Sequence, residues 1–326
     1  PYTGLNYELS VNGEYIDYGS APNNYITDVL TDYAIDIIQA QSETDNPFFI
    51  ELSYYAPHEP YLPAERHENV LTDLQAPRAP NFNEADMTGK PPWMASDPQL
   101  TDGQLAEIDQ IYRQRAQTMQ AVDEGIGKLV AALEASGELE NTYIIFTSDN
   151  GFHLGQHRDL EGKAAPYEED IRVPFVVRGP GIAAGETVSG FLSTNVDLPV
   201  TISDWAGVQP PDYVDGRSLT PLFQADADEN TLAWREAVLI EFYGFTAETA
   251  EVDPLYTGVR TLRYKYIEHT DGGFIELYDL LDDPYELHNL ALEGHDALVA
   301  QMHDWLIALQ DCAGETCRMI ENGDGY

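Results

Sequence analysis

From Thr101 to Ser136 the apolar residues Leu105, Ile108, Ile111, Tyr112, Met119, Val122, Ile126, Leu129, Val130 and Leu133 return at helical spacing, and Gly137 ends the run. A stripe of that length predicts one long amphipathic helix, stopped by a glycine and obliged to bury one side. The next segment, residues 142–147, is an apolar β-type run around Tyr143, Ile144, Ile145 and Phe146. A long helix that feeds a strand sets the pattern for the chain: helical and strand signals alternate, which predicts an α/β fold rather than an all-β one.

The other elements follow the same logic. Residues 25–41 place Ile26, Val29, Leu30, Tyr33, Ala34 and Ile37 on one helical face. Pro47 to Tyr55 is a short, strongly apolar strand, and Val173 to Val177 is another. Asp197 to Ala206 is a short helix. Residues 60–100 are irregular and rich in proline, and a loop of that length inside a compact domain points to function. After Pro221 the character changes. Segments 237–244, 256–269 and 274–280 predict an antiparallel sheet, Asp282-Asp283-Pro284 a turn, and 293–311 a closing helix. The polar run QADADENT places a boundary near 225–232, dividing the chain into 1–228 and a small α+β part, 229–326.

Charge narrows the function classes. The chain carries 57 acids against 16 bases, a formal −41, and only four lysines: Lys90, Lys128, Lys163 and Lys265. That balance excludes nucleic acid and anionic membrane surfaces as partners. It suits either a protein adapted to high salt, where screening relieves self-repulsion, or an ordinary acidic secreted protein. No apolar run approaches bilayer-spanning length. Cys312 and Cys317 lie close enough for a small local disulfide, with two free thiols as the alternative.

The most informative stretch is TYIIFTSDNGFHLGQHRDLEGKAAPYEEDIRVPFVVRGPGI, residues 142–182. Its strand ends in Asp149-Asn150, a carboxylate and an amide oxygen side by side, which suit a hard divalent cation. Asp-Asn-Gly is equally a turn signal, but open α/β sheets gather ligands at the carboxyl ends of their strands. His153, His157, Arg158 and Lys163 then form a cationic patch on an anionic protein, which points to a bound anion. A solvated loop with accidental charges is the alternative. His58 follows the 47–55 segment between two prolines, placed either as a plain loop residue or as a donor to an anionic oxygen.

These residues resemble the sulfatase family of the alkaline-phosphatase-like fold. SDNGFHLGQHRDLEGKAAPYEEDIRVPFVVRGPGI carries the likeness, with PFFIELSYYAPHEPY, YITDVLTDYA and ELYDLLDDPYELHNL, so that it covers nearly the whole chain. QAPRAPNFNEADMTGKPPWM and YRQRAQTMQAVDE are similar to the branch of N-acetylglucosamine-6-sulfatases and extracellular heparan-sulfate 6-O-endosulfatases. The resemblance implies a sulfatase core lacking its N-terminal third, with the small C-terminal antiparallel sheet and helix. It implies hydrolysis of sulfate esters of sulfated carbohydrates, of the glucosamine-6-sulfate type, with calcium held by Asp149 and Asn150. His58 and Lys163 would be catalytic, contacting the sulfate and the bridging oxygen, and His153 and His157 would face the substrate. It implies a secreted, periplasmic or extracellular location, and leaves the oligomeric state open.

One departure is large. The family's nucleophile is a formylglycine made in a C/S-x-P-x-R motif, accompanied by two consecutive metal-binding aspartates near the N-terminus and a Lys-x-His pair; neither C/S-x-P-x-R nor Lys-x-His occurs in the 326 residues, and the one Asp-Asp pair, Asp282-Asp283, lies near the other end. The expectation is therefore a chain that is inactive alone and depends on a missing N-terminal segment for formylglycine. Two other readings stand beside it: a non-catalytic module for sulfated glycans, and a phosphatase or phosphodiesterase of the same superfamily.

Overall fold

The computed structural model describes residues 3–44, 46–224, 232–244, 254–323 and 325. Its strands are β1 (Tyr7–Val11), β2 (Glu14–Tyr18), β3 (Ile144–Thr147), β4 (Phe175–Arg178), β5 (Ala237–Phe242), β6 (Tyr256–Thr261), β7 (Tyr264–His269) and β8 (Ile275–Asp279). The helices are α1 (Ile26–Ser42), α2 (Pro92–Ala95), α3 (Asp102–Ser136), α4 (Glu168–Ile171), α5 (Asp197–Trp205), α6 (Asp296–Gln310) and α7 (Glu315–Glu321). The chain divides into two compact units, one of residues 1–77 with 100–144, the other of 78–99 with 145–326. The boundary expected near 225–232 falls almost entirely outside the described residues.

The first unit is built on α3 packed against α1. A capping box starts α3: the Thr101 hydroxyl accepts from the Gln104 amide, and the Gln104 side chain accepts from the Thr101 amide. Gly137, at φ 80°, ends it, as the glycine signal predicts. Ile108, Ile111, Val122 and Leu133 supply the buried apolar stripe. In α1 Ile26, Val29 and Ala34 are buried as expected and Leu30 and Tyr33 are half-buried, while Ile37 is 45% exposed and Ile38 is buried in its place. Gly125 lets the two helices meet, since a Cβ there would sit 2.7 Å from the Thr31 hydroxyl.

Residues 47–55 correct the expectation of a strand. Phe48, Ile50, Leu52 and Tyr54 are half-buried and Phe49, Glu51 and Ser53 exposed, so the side chains alternate as in a strand, but no ladder is formed. Alternation sets which face is buried, and pairing needs a second backbone edge, which nothing among the described residues supplies. The Tyr54 hydroxyl anchors the segment instead, 2.8 Å from that of Thr31. A β1–β2 hairpin at residues 7–18 had no counterpart in the sequence reading.

In the second unit β3 pairs with β4, and β5-β6-β7-β8 form an antiparallel meander in that order. Helix α6 covers the meander: Met302, Trp305, Leu306 and Leu309 pack on Ala237, Val259, Tyr266 and Leu277. Beyond it lies the unforeseen α7, with a Cys312–Cys317 disulfide spanning its start. Arg235, fully buried, grips both Asp197 oxygens at 2.5 and 2.7 Å and Glu321 at 3.0 Å, joining α5 to α7. Removing Arg235 would strand the buried Asp197 charge.

Candidate functional site

The end of β3 passes directly into Ser148-Asp149-Asn150-Gly151, and α4 holds this turn in place. The Gly151 and Phe152 amides donate to the carbonyls of Asp170 and Glu169, both at 2.7 Å. A Cβ on Gly151 would lie 1.9 Å from the Glu169 carbonyl oxygen, so only glycine permits the approach. Asp149 is exposed, and its Oδ1 accepts from the Asn150 amide at 2.9 Å. Lys163 Nζ lies 3.3 Å from Asn150 Oδ1. The two oxygen-bearing residues and the lysine, thirteen positions apart, therefore come together.

His153 exchanges backbone hydrogen bonds with Gly162, at 2.9 and 3.2 Å, which delivers Lys163 next to the strand end. Its ring is buried between two acids. Nδ1 lies 2.9 Å from both Asp170 oxygens, and Nε2 lies 3.1 Å from Asp159 Oδ2. Burial works against a charge there, but hydrogen bonding and attraction from Asp159 and Asp170 outweigh it and raise the pKa to about 9. His153 is thus a cation at neutral pH.

His157 is the opposite case. Its side chain is 2% exposed, packed 4.1 Å from the Tyr167 ring centre, with Nδ1 3.2 Å from Glu84 Oε1. Burial, reinforced by Lys90, Lys265 and His153, holds its pKa well below the usual histidine value, so it is neutral. Arg158 also leaves the expected cationic patch: its guanidinium donates to the carbonyls of Glu84, Asp97 and Ala85 at 2.8, 2.7 and 2.7 Å. The patch reduces to His153 and Lys163, and Arg158 is a staple. It fastens the irregular 78–99 stretch to the site loop, alongside the bonds from Asn83 to Gly155 and from His157 to Asn81.

His58 belongs to the first unit, exposed, with Nδ1 2.9 Å from the Glu59 carbonyl oxygen. Arg115 of α3 fixes its loop by donating to the Pro57 carbonyl at 3.0 Å.

The sequence reading missed what supports the site. Glu84 and Lys90 have partners far along the chain, and Asp159 and Asp170 are two of 57 acids with nothing local to single them out. One signal was present, the scarcity of lysine: of only four in the chain, Lys90 and Lys265 are almost fully or fully buried. Lys90 Nζ donates to the Tyr278 hydroxyl at 2.9 Å and to the Glu286 carbonyl, and Lys265 pairs with the Glu286 carboxylate. Burial lowers the Lys90 pKa and, against Lys265, raises that of Glu286 to about 7. The ligand atoms of Glu286, Glu169 and His157 lie within 4.8 Å of one another, a grouping of metal-binding residue types apart from Asp149-Asn150. Lys265 already balances Glu286 in it. Asp149 and Asn150 fit a hard cation in donor chemistry, and supply two or three of the roughly six to eight oxygens calcium takes.

Residues 2–208 match the family model described as Sulfatase, and residues 155–312 match the one described as N-sulphoglucosamine sulphohydrolase, C-terminal. N-acetylglucosamine-6-sulfatase of Bos taurus is 36% identical over 96% of this chain and 60% of its own length. The Homo sapiens protein of that name is 35% identical over 96% of this chain and 61% of its own. The chain therefore spans about 60% of the length of these relatives. A structure solved with its substrate D-glucosamine-2-N,6-O-disulfate superposes at a TM-score of 0.76, with 27% identity over 99% of this chain and 74% of that one. A phosphonate monoester hydrolase from Silicibacter pomeroyi shares the fold, at a TM-score of 0.71 and 22% identity, over 88% of this chain and 60% of that one.

Proposed function

This chain belongs to the sulfatase family, and from that premise we propose that it furnishes the metal-and-anion face of a sulfuric ester hydrolase acting on sulfated amino sugars of the glucosamine 6-sulfate type. The observation that carries the reading is the meeting of Lys163 with Asn150 at 3.3 Å, beside Asp149, at the end of β3. A hard cation on Asp149 and Asn150 would withdraw charge from a sulfate oxygen, and Lys163 would hold the same anion from its other side. His153, its charge offset by Asp170 and Asp159, fixes the loop that carries Lys163. The family resemblance gives His58 the role of proton donor to the departing sugar oxygen, a task that suits an imidazole. His157, neutral and enclosed, supports from inside the loop that carries Lys163 and does not present its ring to the substrate.

The substrate class rests on the names of the relatives and on the sugar in the solved neighbour. Formylglycine, when present, supplies the family's nucleophile, and no C/S-x-P-x-R motif occurs in these 326 residues. We therefore place the nucleophile outside them, and expect residues 1–326 alone to show no turnover. The same absence favours one other reading, a module that binds sulfated glycans without cleaving them. A location outside the cytoplasm is supported by the Cys312–Cys317 disulfide, and by relatives named as extracellular sulfatases in Caenorhabditis elegans and Drosophila melanogaster.

The deciding assay measures sulfate release from glucosamine 6-sulfate and from an aryl sulfate. It compares residues 1–326 with the same residues joined to a segment bearing C/S-x-P-x-R, made in a host that forms formylglycine. Turnover by the joined protein only is expected. Tight glycan binding with no turnover in either form would establish the binding module instead.

A further inference from the structure

We infer that Asp170 is a positioning residue that clamps Lys163 and the Asp149-Asn150 pair into one register. The roles of those three residues come from the proposed sulfatase reading; the clamp comes from the hydrogen bonds around Asp170. Its side chain is 1% exposed. Both carboxylate oxygens lie 2.9 Å from His153 Nδ1, and Oδ2 also accepts from the Ala165 amide at 2.7 Å. Its backbone carbonyl accepts from the Gly151 amide at 2.7 Å.

Lys163 sits in a short segment fixed at both ends. On one side Gly162 is bridged to the His153 backbone, and on the other Ala165 is held by Asp170. Asn150 precedes Gly151, which Asp170 holds through its carbonyl. One residue of α4 thus pins both sides of the 3.3 Å contact between Lys163 and Asn150. The clamp tolerates little slack, since a Cβ on Gly162 would lie 2.9 Å from His153 Nε2. A buried carboxylate is costly to maintain without a cationic partner, and His153 is the partner that Asp170 selects and orients.

The test uses Asp170→Asn, which keeps the size and an acceptor for Ala165 while removing the charge that holds His153. In the protein that carries the nucleophile motif, kcat on glucosamine 6-sulfate should fall about tenfold or more with KM within about threefold. Combined with Lys163→Ala, it should cost less than about threefold beyond Lys163→Ala alone, because the two act as a unit. Losses that multiply, or a loss mainly in KM, would overturn the inference and make Asp170 an independent substrate contact. A readout without turnover is the His153 titration by NMR on labelled histidine. The wild-type ring should stay protonated well above pH 7, and Asp170→Asn should lower its pKa by at least about one unit. A wild-type His153 that titrates below pH 7 sinks the clamp. If the wild type hydrolyses no sulfate ester, the proposed reaction fails by itself and this titration still decides the clamp. Should Asp170→Asn not fold, His153→Gln breaks the other half of the pair and must show the same non-additivity with Lys163→Ala.

Discussion

At the scale of single residues, neighbouring side chains take separable roles. In the proposed site Asp149→Ala removes a charged oxygen from the cation's ligands, so calcium affinity measured by calorimetric titration should drop about tenfold or more. Lys163→Ala should lower turnover and leave calcium content unchanged; equal losses of metal in both variants would show the roles to be confused. His153 makes the pH prediction. Its folded pKa of about 9 exceeds the unfolded 6.5, so its stabilisation is complete below about pH 6.5 and is lost as pH rises through about 9. The difference is worth on the order of 3 kcal/mol as an upper bound. Urea unfolding from pH 6 to pH 9.5 should show stability declining across this window, and His153→Gln should flatten the decline. Glu84 and Glu286, both raised to about 7, have the sign of protonated buried acids: their contribution is present below about pH 4.5 and is lost by about pH 7. The two windows are distinct enough to separate.

At the scale of elements, the ends matter more than the middles. The α3 stripe was legible because burying one side of a long helix needs apolar residues in a regular repeat, and its capping box and Gly137 stop are local chemistry. Thr101→Ala should cost about 1 kcal/mol, read as a lowered melting temperature with the helix retained. Gly151→Ala should cost more than twice as much, because its Cβ meets backbone rather than a side chain that can turn away. A loss at Gly151 no larger than at Thr101 would mean that α4 does not press on the strand end. The 47–55 segment shows the limit of such reading: its apolar character was visible, and its lack of a pairing partner, which depends on the rest of the chain, was not.

At the scale of the whole molecule, charge governs. With a formal −41, the folded chain repels itself at low ionic strength, where the Debye length is roughly 30 Å at 0.01 M. Molar salt shortens it to about 3 Å and should raise the melting temperature. A melting temperature that falls steadily with added salt would show that specific ion pairs, such as Arg66 with Asp28 and Glu124, outweigh the global repulsion. In the proposed reading the same field opposes an anionic substrate, so its capture would rest on Lys163 at short range. Added salt should then speed association or leave it unchanged. A steep fall in glycan binding between low and moderate salt would point to steering by a basic surface outside these residues.

The sequence by itself determined the long helix, the C-terminal meander, the strand-end Asp149-Asn150 and the family, because periodicity, turn chemistry and motif spacing are properties of adjacent residues. Tertiary structure alone decided which of the loop's basic side chains stand at the strand end. Lys163 and His157 read alike as charges on one loop, but one lies beside Asn150 and the other is enclosed by Glu84 and Tyr167 and stays neutral. Arg158 likewise looked available until its three carbonyl acceptors, more than sixty residues away in sequence, were in place. Charge state and accessibility depend on burial and on partners distant along the chain, and those exist only once the chain has folded.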